Sequence, residues 1–232
     1  MCVALVCSTN APLLAEVAER IAYSMGPSQQ EEGMATVPLP ARASALLLQD
    51  LQNDLIKGTR PVVPLSGTEL ITNCQKLLTK ARAVGMLVVY VRVSRRPDLK
   101  DAPRPPLGTA TGVAGPSILI EGTEGAEIVA ELAPRPEDVV VTKHTTSPFH
   151  TTDLGVYLRR FGITTLILTG YSTTGVVEGA LRDARDQDYD CVVVRDCCAA
   201  ATVEEHEVCM NLVFPRMGWV AGVDEVINAL TA

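Results

Sequence analysis

No stretch of this chain approaches the roughly 18 consecutive apolar residues that cross a bilayer, so no membrane partner is expected. The opening Met1-Cys2-Val3-Ala4-Leu5-Val6-Cys7 is too short for a secretory leader and lacks its basic start, which points to a cytoplasmic protein. Basic residues are few and scattered apart from the short pairs Arg95-Arg96 and Arg159-Arg160. With a formal charge of −7, this leaves no footprint for a phosphate backbone and argues against nucleic acid. The seven cysteines form no CxxC pair and no regular framework, which disfavours a structural zinc site and suits reduced thiols. No internal repeat is visible. What the chain does have is 47% hydrophobic residues over 232 positions, enough to bury the core of one α/β domain.

The most informative stretch is Leu166-Ile167-Leu168-Thr169-Gly170-Tyr171-Ser172-Thr173-Thr174-Gly175-Val176-Val177-Glu178. A short apolar run, a Gly/Ser/Thr loop and a helical segment read as a buried strand delivering a loop to a helix N-terminus. Backbone N–H groups and the helix dipole at such a junction can hold an anion or a developing oxyanion. An ordinary βα turn with Ser and Thr as caps has the same pattern, so this stretch alone leaves both readings open.

Residues 1–43 read as an N-terminal arm, an amphipathic helix over Leu13–Met25 and a polar linker, with an α/β domain over 44–232. Ser44-Ala45-Leu46-Leu47-Leu48-Gln49 is a continuous apolar run ending at Asp50, as in a parallel strand buried on both faces. Glu69–Val84 has helical spacing and stops at Gly85, and Met86–Val93 is the next strand. Ser94–Gly125, rich in proline and glycine, reads as a lid or an interface loop. Arg92, Arg95 and Arg96 stand where the strand opens into it and could bind a substrate carboxylate or simply face water. A short helix is expected over Ala126–Leu132, a strand over Asp138–Lys143, a helix over Thr151–Phe161 and a strand over Tyr189–Val194. Further helices follow over Glu204–Leu212 and from about Asp224. This alternation predicts a doubly wound, Rossmann-like parallel sheet with helices on both faces. Asp50 and Lys143 would then lie at carboxyl ends of strands, where ligands bind and where opposite charges tune each other's proton affinity. Glu204, Glu205 and Glu207 read as a solvated face, since only His206 could join them at a metal.

Leu48-Gln49-Asp50-Leu51-Gln52-Asn53-Asp54, Thr142-Lys143 with Ser147-Pro148-Phe149, and Thr169-Gly170 with the loop to Glu178 together resemble the isochorismatase-like hydrolases, over about residues 44–228. Asp196-Cys197-Cys198-Ala199-Ala200 is similar to that family's segment after the next strand. The resemblance implies a doubly wound fold, frequent homo-oligomers, and in many members amide hydrolysis by a Cys–Asp–Lys triad. Asp50 matches the aspartate and Lys143 the lysine, while the nucleophilic position holds Val176. Valine has no lone pair to attack a carbonyl. The resemblance also implies a cis peptide at Tyr171–Ser172 that turns the N–H groups of Ser172 and Val176 toward the ligand. Arg92, Phe149, Tyr171, Ser172, Thr174, Gly175 and Val176 would then form the substrate-binding wall.

True isochorismatases manage without the cysteine by protonating a vinyl ether, and carry a small residue at its position. Val176 is bulkier than that, and Pro148 replaces a more usual alanine. No histidine follows Asp50 in the stretch where metal-binding members carry them, so neither metal nor other cofactor is expected. The leading expectation is therefore a cysteine-independent hydrolase of a small carboxylated molecule, with Asp50 as general acid. Two alternatives remain: a binding or assembly protein of the same fold, and an amide hydrolase whose cysteine has become Val176.

Overall fold

The structure is a computed structural model and describes residues 37–103 and 118–232. The expected N-terminal strand and Leu13–Met25 helix, most of the linker, and the middle of the Pro/Gly-rich loop lie outside the described residues.

Six parallel strands form one sheet: β1 (Ser44–Gln49), β2 (Leu87–Val93), β3 (Val139–Lys143), β4 (Thr165–Tyr171), β5 (Asp190–Ala199) and β6 (Trp219–Ala221). Their spatial order is β3-β2-β1-β4-β5-β6, the doubly wound arrangement. The chain starts in the middle, builds outward through β2 to β3, then crosses β1 to build the other half. The topological switch point therefore lies between β1 and β4, the crevice where open α/β sheets bind ligands. Two residues, Leu39–Pro40, pair in parallel with Leu230–Thr231 away from this sheet.

β1 is buried along its whole length, so its alternation divides the core rather than separating core from solvent. Leu46 and Leu48 pack with α2 (Gly67–Ala83) and α6 (Val223–Ala229) on one face. Ala45 and Leu47 pack with α3 (Leu154–Arg160) and α4 (Glu178–Asp186) on the other. A strand covered by helices on both faces can be apolar at every position, which is why these runs are continuous. Two short helices complete the set, α1 (Asn53–Ile56) and α5 (Val203–Val208).

α2 begins earlier than its apolar spacing suggests because Ser66 caps it. The Ser66 hydroxyl accepts from Glu69 N at 3.2 Å, and Ser66 N donates to the Glu69 carboxylate at 2.9 Å. Ser66→Ala is expected to cost about 1 kcal/mol of stability, measured as a lower urea midpoint at unchanged slope.

The helix expected over Ala126–Leu132 is not formed. Two single 3₁₀ turns, Glu124–Ala126 and Ala130–Leu132, flank an extended piece. That piece pairs with the chain after β1: Ile128 bridges Gln52, Asn53 N donates to Glu127 O at 3.0 Å, and Val129 N donates to Leu51 O at 3.0 Å. Pairing with a neighbour has overridden local helical spacing. The expected Glu204–Leu212 helix also divides, into α5, a π-helical turn over Cys209–Val213 and a 3₁₀ turn over Phe214–Arg216.

Candidate active site

Asp50 is the first residue past β1 and turns the chain out of the sheet. Its φ of +55° is left-handed, a region Asp tolerates better than most residues, and its N–H donates to Val91 O at 2.8 Å. The side chain enters the crevice, where Oδ2 accepts from Lys143 Nζ at 2.8 Å. Lys143 closes β3, two strands away, and reaches across the end of β2. Its Nζ also donates to Thr145 O at 3.1 Å. The pair is nearly sealed, with Asp50 5% and Lys143 1% exposed, and Oδ1 of Asp50 has no hydrogen-bond partner. Burial penalises the carboxylate more than Lys143 stabilises it, so the Asp50 pKa is pushed up to about 6.

The second wall comes from β4 and its loop. Gly170 ends the regular pairing with β1, opposite Gln49, and the Tyr171–Ser172 peptide is cis, as the resemblance implies. A π-helical turn over Thr173–Val177 leads directly into α4, with Gly175 N (3.1 Å) and Val177 N (3.3 Å) both donating to Ser172 O. From below, the buried Thr173 hydroxyl meets His206 Nδ1 at 3.0 Å, and burial lowers the His206 pKa. Tyr171 is tied through its hydroxyl to Pro61 O at 2.9 Å, and burial raises its pKa.

These walls enclose a cavity of about 170 Å³. Asp50, Lys143, Tyr171, Ser172, Gly175 and Val176 all line it. Arg92, Phe149 and Thr174 do not. Arg92 instead donates to Thr142 Oγ1 at 3.1 Å and lies 3.5 Å from the Glu127 carboxylate. Phe149 packs toward Tyr189, with ring centroids 6.1 Å apart, and Thr174 faces solvent. Of the three arginines at the β2 exit, Arg95 is the one that lines the cavity. Arg60, His144 and Leu119 line it too, and sequence reasoning missed them. His144 carried a readable signal, being next to Lys143; Arg60 and Leu119 arrive on irregular loops and carried none.

Val176 is 2% exposed and presents hydrocarbon to the cavity. None of the five described cysteines lines the cavity. All five are buried, and burial pushes the Cys191 thiol up to about 12 and Cys198 well above its ordinary value, which makes both inert as nucleophiles.

A doubly wound parallel sheet with a buried carboxyl–ammonium pair over a switch-point cavity defines an α/β enzyme. The chain belongs to the isochorismatase family, whose Isochorismatase domain matches residues 44–225, and it is a hydrolase of that family. It is 32% identical to the isochorismatase family protein YecD of Escherichia coli O157:H7, over 83% of this chain and 98% of that one. It is 28% identical to the ureidoacrylate amidohydrolase RutB of Acinetobacter baylyi, over 83% and 85%. Among solved structures, an isochorismatase family protein from Burkholderia thailandensis superposes with a TM-score of 0.73 at 33% identity, covering 83% of this chain and 98% of that one. No described helix is long and apolar enough to cross a membrane.

Proposed function

We propose that this protein hydrolyses a small carboxylated molecule without a cysteine nucleophile, and that an isochorismate-type vinyl ether, cleaved with release of pyruvate, is its substrate. The observation that carries the reading is Asp50: a carboxyl group with one oxygen free, held by burial at a pKa of about 6 despite an ammonium 2.8 Å away. A group so poised is partly protonated near neutral pH and can act as general acid. Protonation of the terminal vinyl carbon by Asp50 leaves an oxygen-stabilised cation at the ether carbon. Water adds there and returns a proton to the Asp50 carboxylate, and the resulting hemiketal, its hydroxyl proton passing to the departing oxygen, expels the ring alcohol to give pyruvate. Lys143 orients the Asp50 carboxyl and balances its charge once the proton has gone. Arg95 and Arg60 would hold the substrate's carboxylates, and Val176 would be a wall. The test is pyruvate release from isochorismate by the wild type and by Asp50→Asn in parallel.

The same reading takes the protein as cytoplasmic and self-associating. Val203, Val208 and Leu212, exposed along and just after α5, support a face for a second copy.

One observation favours a second reading, amide hydrolysis by a parent enzyme with a thiol at position 176. Val176 shares its cavity with Asp50 and Lys143, the other two members of such a triad, and the relative RutB is a ureidoacrylate amidohydrolase. On this reading Val176→Cys gives measurable ammonia release from ureidoacrylate or another small amide, where the wild type gives none. A Val176→Cys protein that folds, takes up iodoacetamide at its introduced thiol and still cleaves no amide removes it.

A further inference from the structure

We propose that Asp54 is a positioning residue that fixes the roof of the cavity and, through it, the guanidinium of Arg95 that receives the substrate's carboxylate. The ligand half of this rests on the carboxylated-substrate reading above; the structural half does not.

The excursion between β2 and β3 returns over the cavity, and the chain just after Asp50 holds it there. Buried Gln52 secures the base. Its amide nitrogen donates to Val93 O at 2.7 Å and Ala126 O at 2.6 Å, and its oxygen accepts from Val93 N at 2.8 Å. Asp54 secures the roof, with Oδ2 accepting from Leu119 N at 2.6 Å. Gly125 lies against the same carboxylate so closely that any β-carbon there would collide with it. Leu119 is 2% exposed, lines the cavity and holds φ at +62°. A bulky side chain in that left-handed region persists only where the surroundings enforce it.

Leu119 is in turn bonded to Arg95. Arg95 N donates to Leu119 O at 2.9 Å, and Arg95 O accepts from Glu121 N at 2.9 Å. Arg95 lies beyond the end of β2, so these two bonds, rather than the sheet, set where its side chain begins. Its Nε is buried with no protein acceptor, and Arg95 is among the residues that line the cavity. A buried guanidinium N–H without a partner is costly unless a ligand completes it, and a carboxylate is the group that fits its planar fork. The order of control runs from Asp54 to Leu119 to Arg95 to substrate.

Residue-resolved amide hydrogen exchange on ligand-free protein tests the first part. Asp54→Ala is expected to speed exchange at Leu119, Arg95 and Glu121 at least ten-fold. Asp54→Asn, which keeps an acceptor oxygen, should restore wild-type protection. If Asp54→Ala is recovered only as aggregate, Asp54→Ser, too short to reach Leu119, replaces it. Unchanged exchange at Leu119 in the shortened variant overturns the proposal. Kinetics with isochorismate test the second part. Asp54→Ala and Arg95→Ala should each raise KM about ten-fold, and the double variant should be no worse than either, because both remove the same seat. KM rises that multiply in the double variant overturn control through Arg95. If the wild type releases no pyruvate, the functional reading fails instead, and the exchange pattern still decides the role of Asp54.

Discussion

Asp50→Asn is expected to lower pyruvate release from isochorismate by about 10²–10⁴-fold, the usual contribution of a general acid, with a much smaller change in KM. Asn has the same shape, and its oxygen can still accept from Lys143, so the cavity is preserved while the transferable proton is lost. The wild-type rate should show the matching pH dependence. The acid must be protonated to act, and burial holds the Asp50 pKa at about 6. kcat/KM should therefore be flat on the acid side of that value and fall about ten-fold per pH unit on the alkaline side. A nucleophilic or base role for Asp50 requires the ionised form and gives the opposite slope, with activity rising through the same range. A coupled pyruvate assay at constant ionic strength distinguishes the two. A descending limb in the wild type that persists unchanged in Asp50→Asn would assign the titration to another group and defeat the acid mechanism.

The parts of this site that were legible in the sequence are those carried by the sheet. Asp50 follows a run buried from both sides and Lys143 follows the apolar run of an edge strand, half-open at Val140, and the carboxyl end of a strand in a parallel sheet is where ligands bind. The sequence left open whether desolvation or the lysine would dominate the proton affinity of Asp50, because that balance depends on how completely the pair is sealed. Arg92 and Arg95 could not be separated by composition. Within β2, Arg92 belongs to the edge that meets Thr142 and Glu127, whereas Arg95 is carried over the cavity only after Leu119 captures its backbone. Arg60 and Leu119 were not legible because no periodicity brings them in; Leu119 N is held by the Asp54 carboxylate, and Pro61 O, next to Arg60, by the Tyr171 hydroxyl. Long-range backbone pairing explains the failed helix at 126–132, where bonds to Leu51–Asn53 outweigh helical spacing.

Gly170→Ala is expected to destabilise the fold by more than about 4 kcal/mol, in the range reserved for strain that cannot relax, and to yield mostly insoluble protein. Gly170 has φ of +127°, where side chains of L-residues are rarely found, and a β-carbon there would run into the carbonyl oxygen of Gln49. That oxygen belongs to the backbone of β1, the central strand, and Gln49 is fully buried. Neither partner can move without shifting Asp50, the next residue. The pairing between β4 and β5 shifts at the same point, Leu168 facing Val193 and Gly170 facing Cys198, so the extra residues lie on β5 while β4 keeps its register with β1 up to Gly170, just before the loop that lines the cavity. Gly179→Ala is the matching control. Gly179 lies inside α4 at an ordinary helical φ, and its β-carbon would meet Ser147 Cβ at 3.4 Å, which is close but tolerable. Relief of glycine's helical penalty, up to about 1 kcal/mol, should offset that crowding and leave Gly179→Ala near wild-type stability. Urea unfolding of the pair separates a conformational requirement from a general intolerance of added methyl groups. Equal, small losses at both positions would show that β4 can rejoin β1 around an alanine, and that the loop's placement does not depend on the glycine.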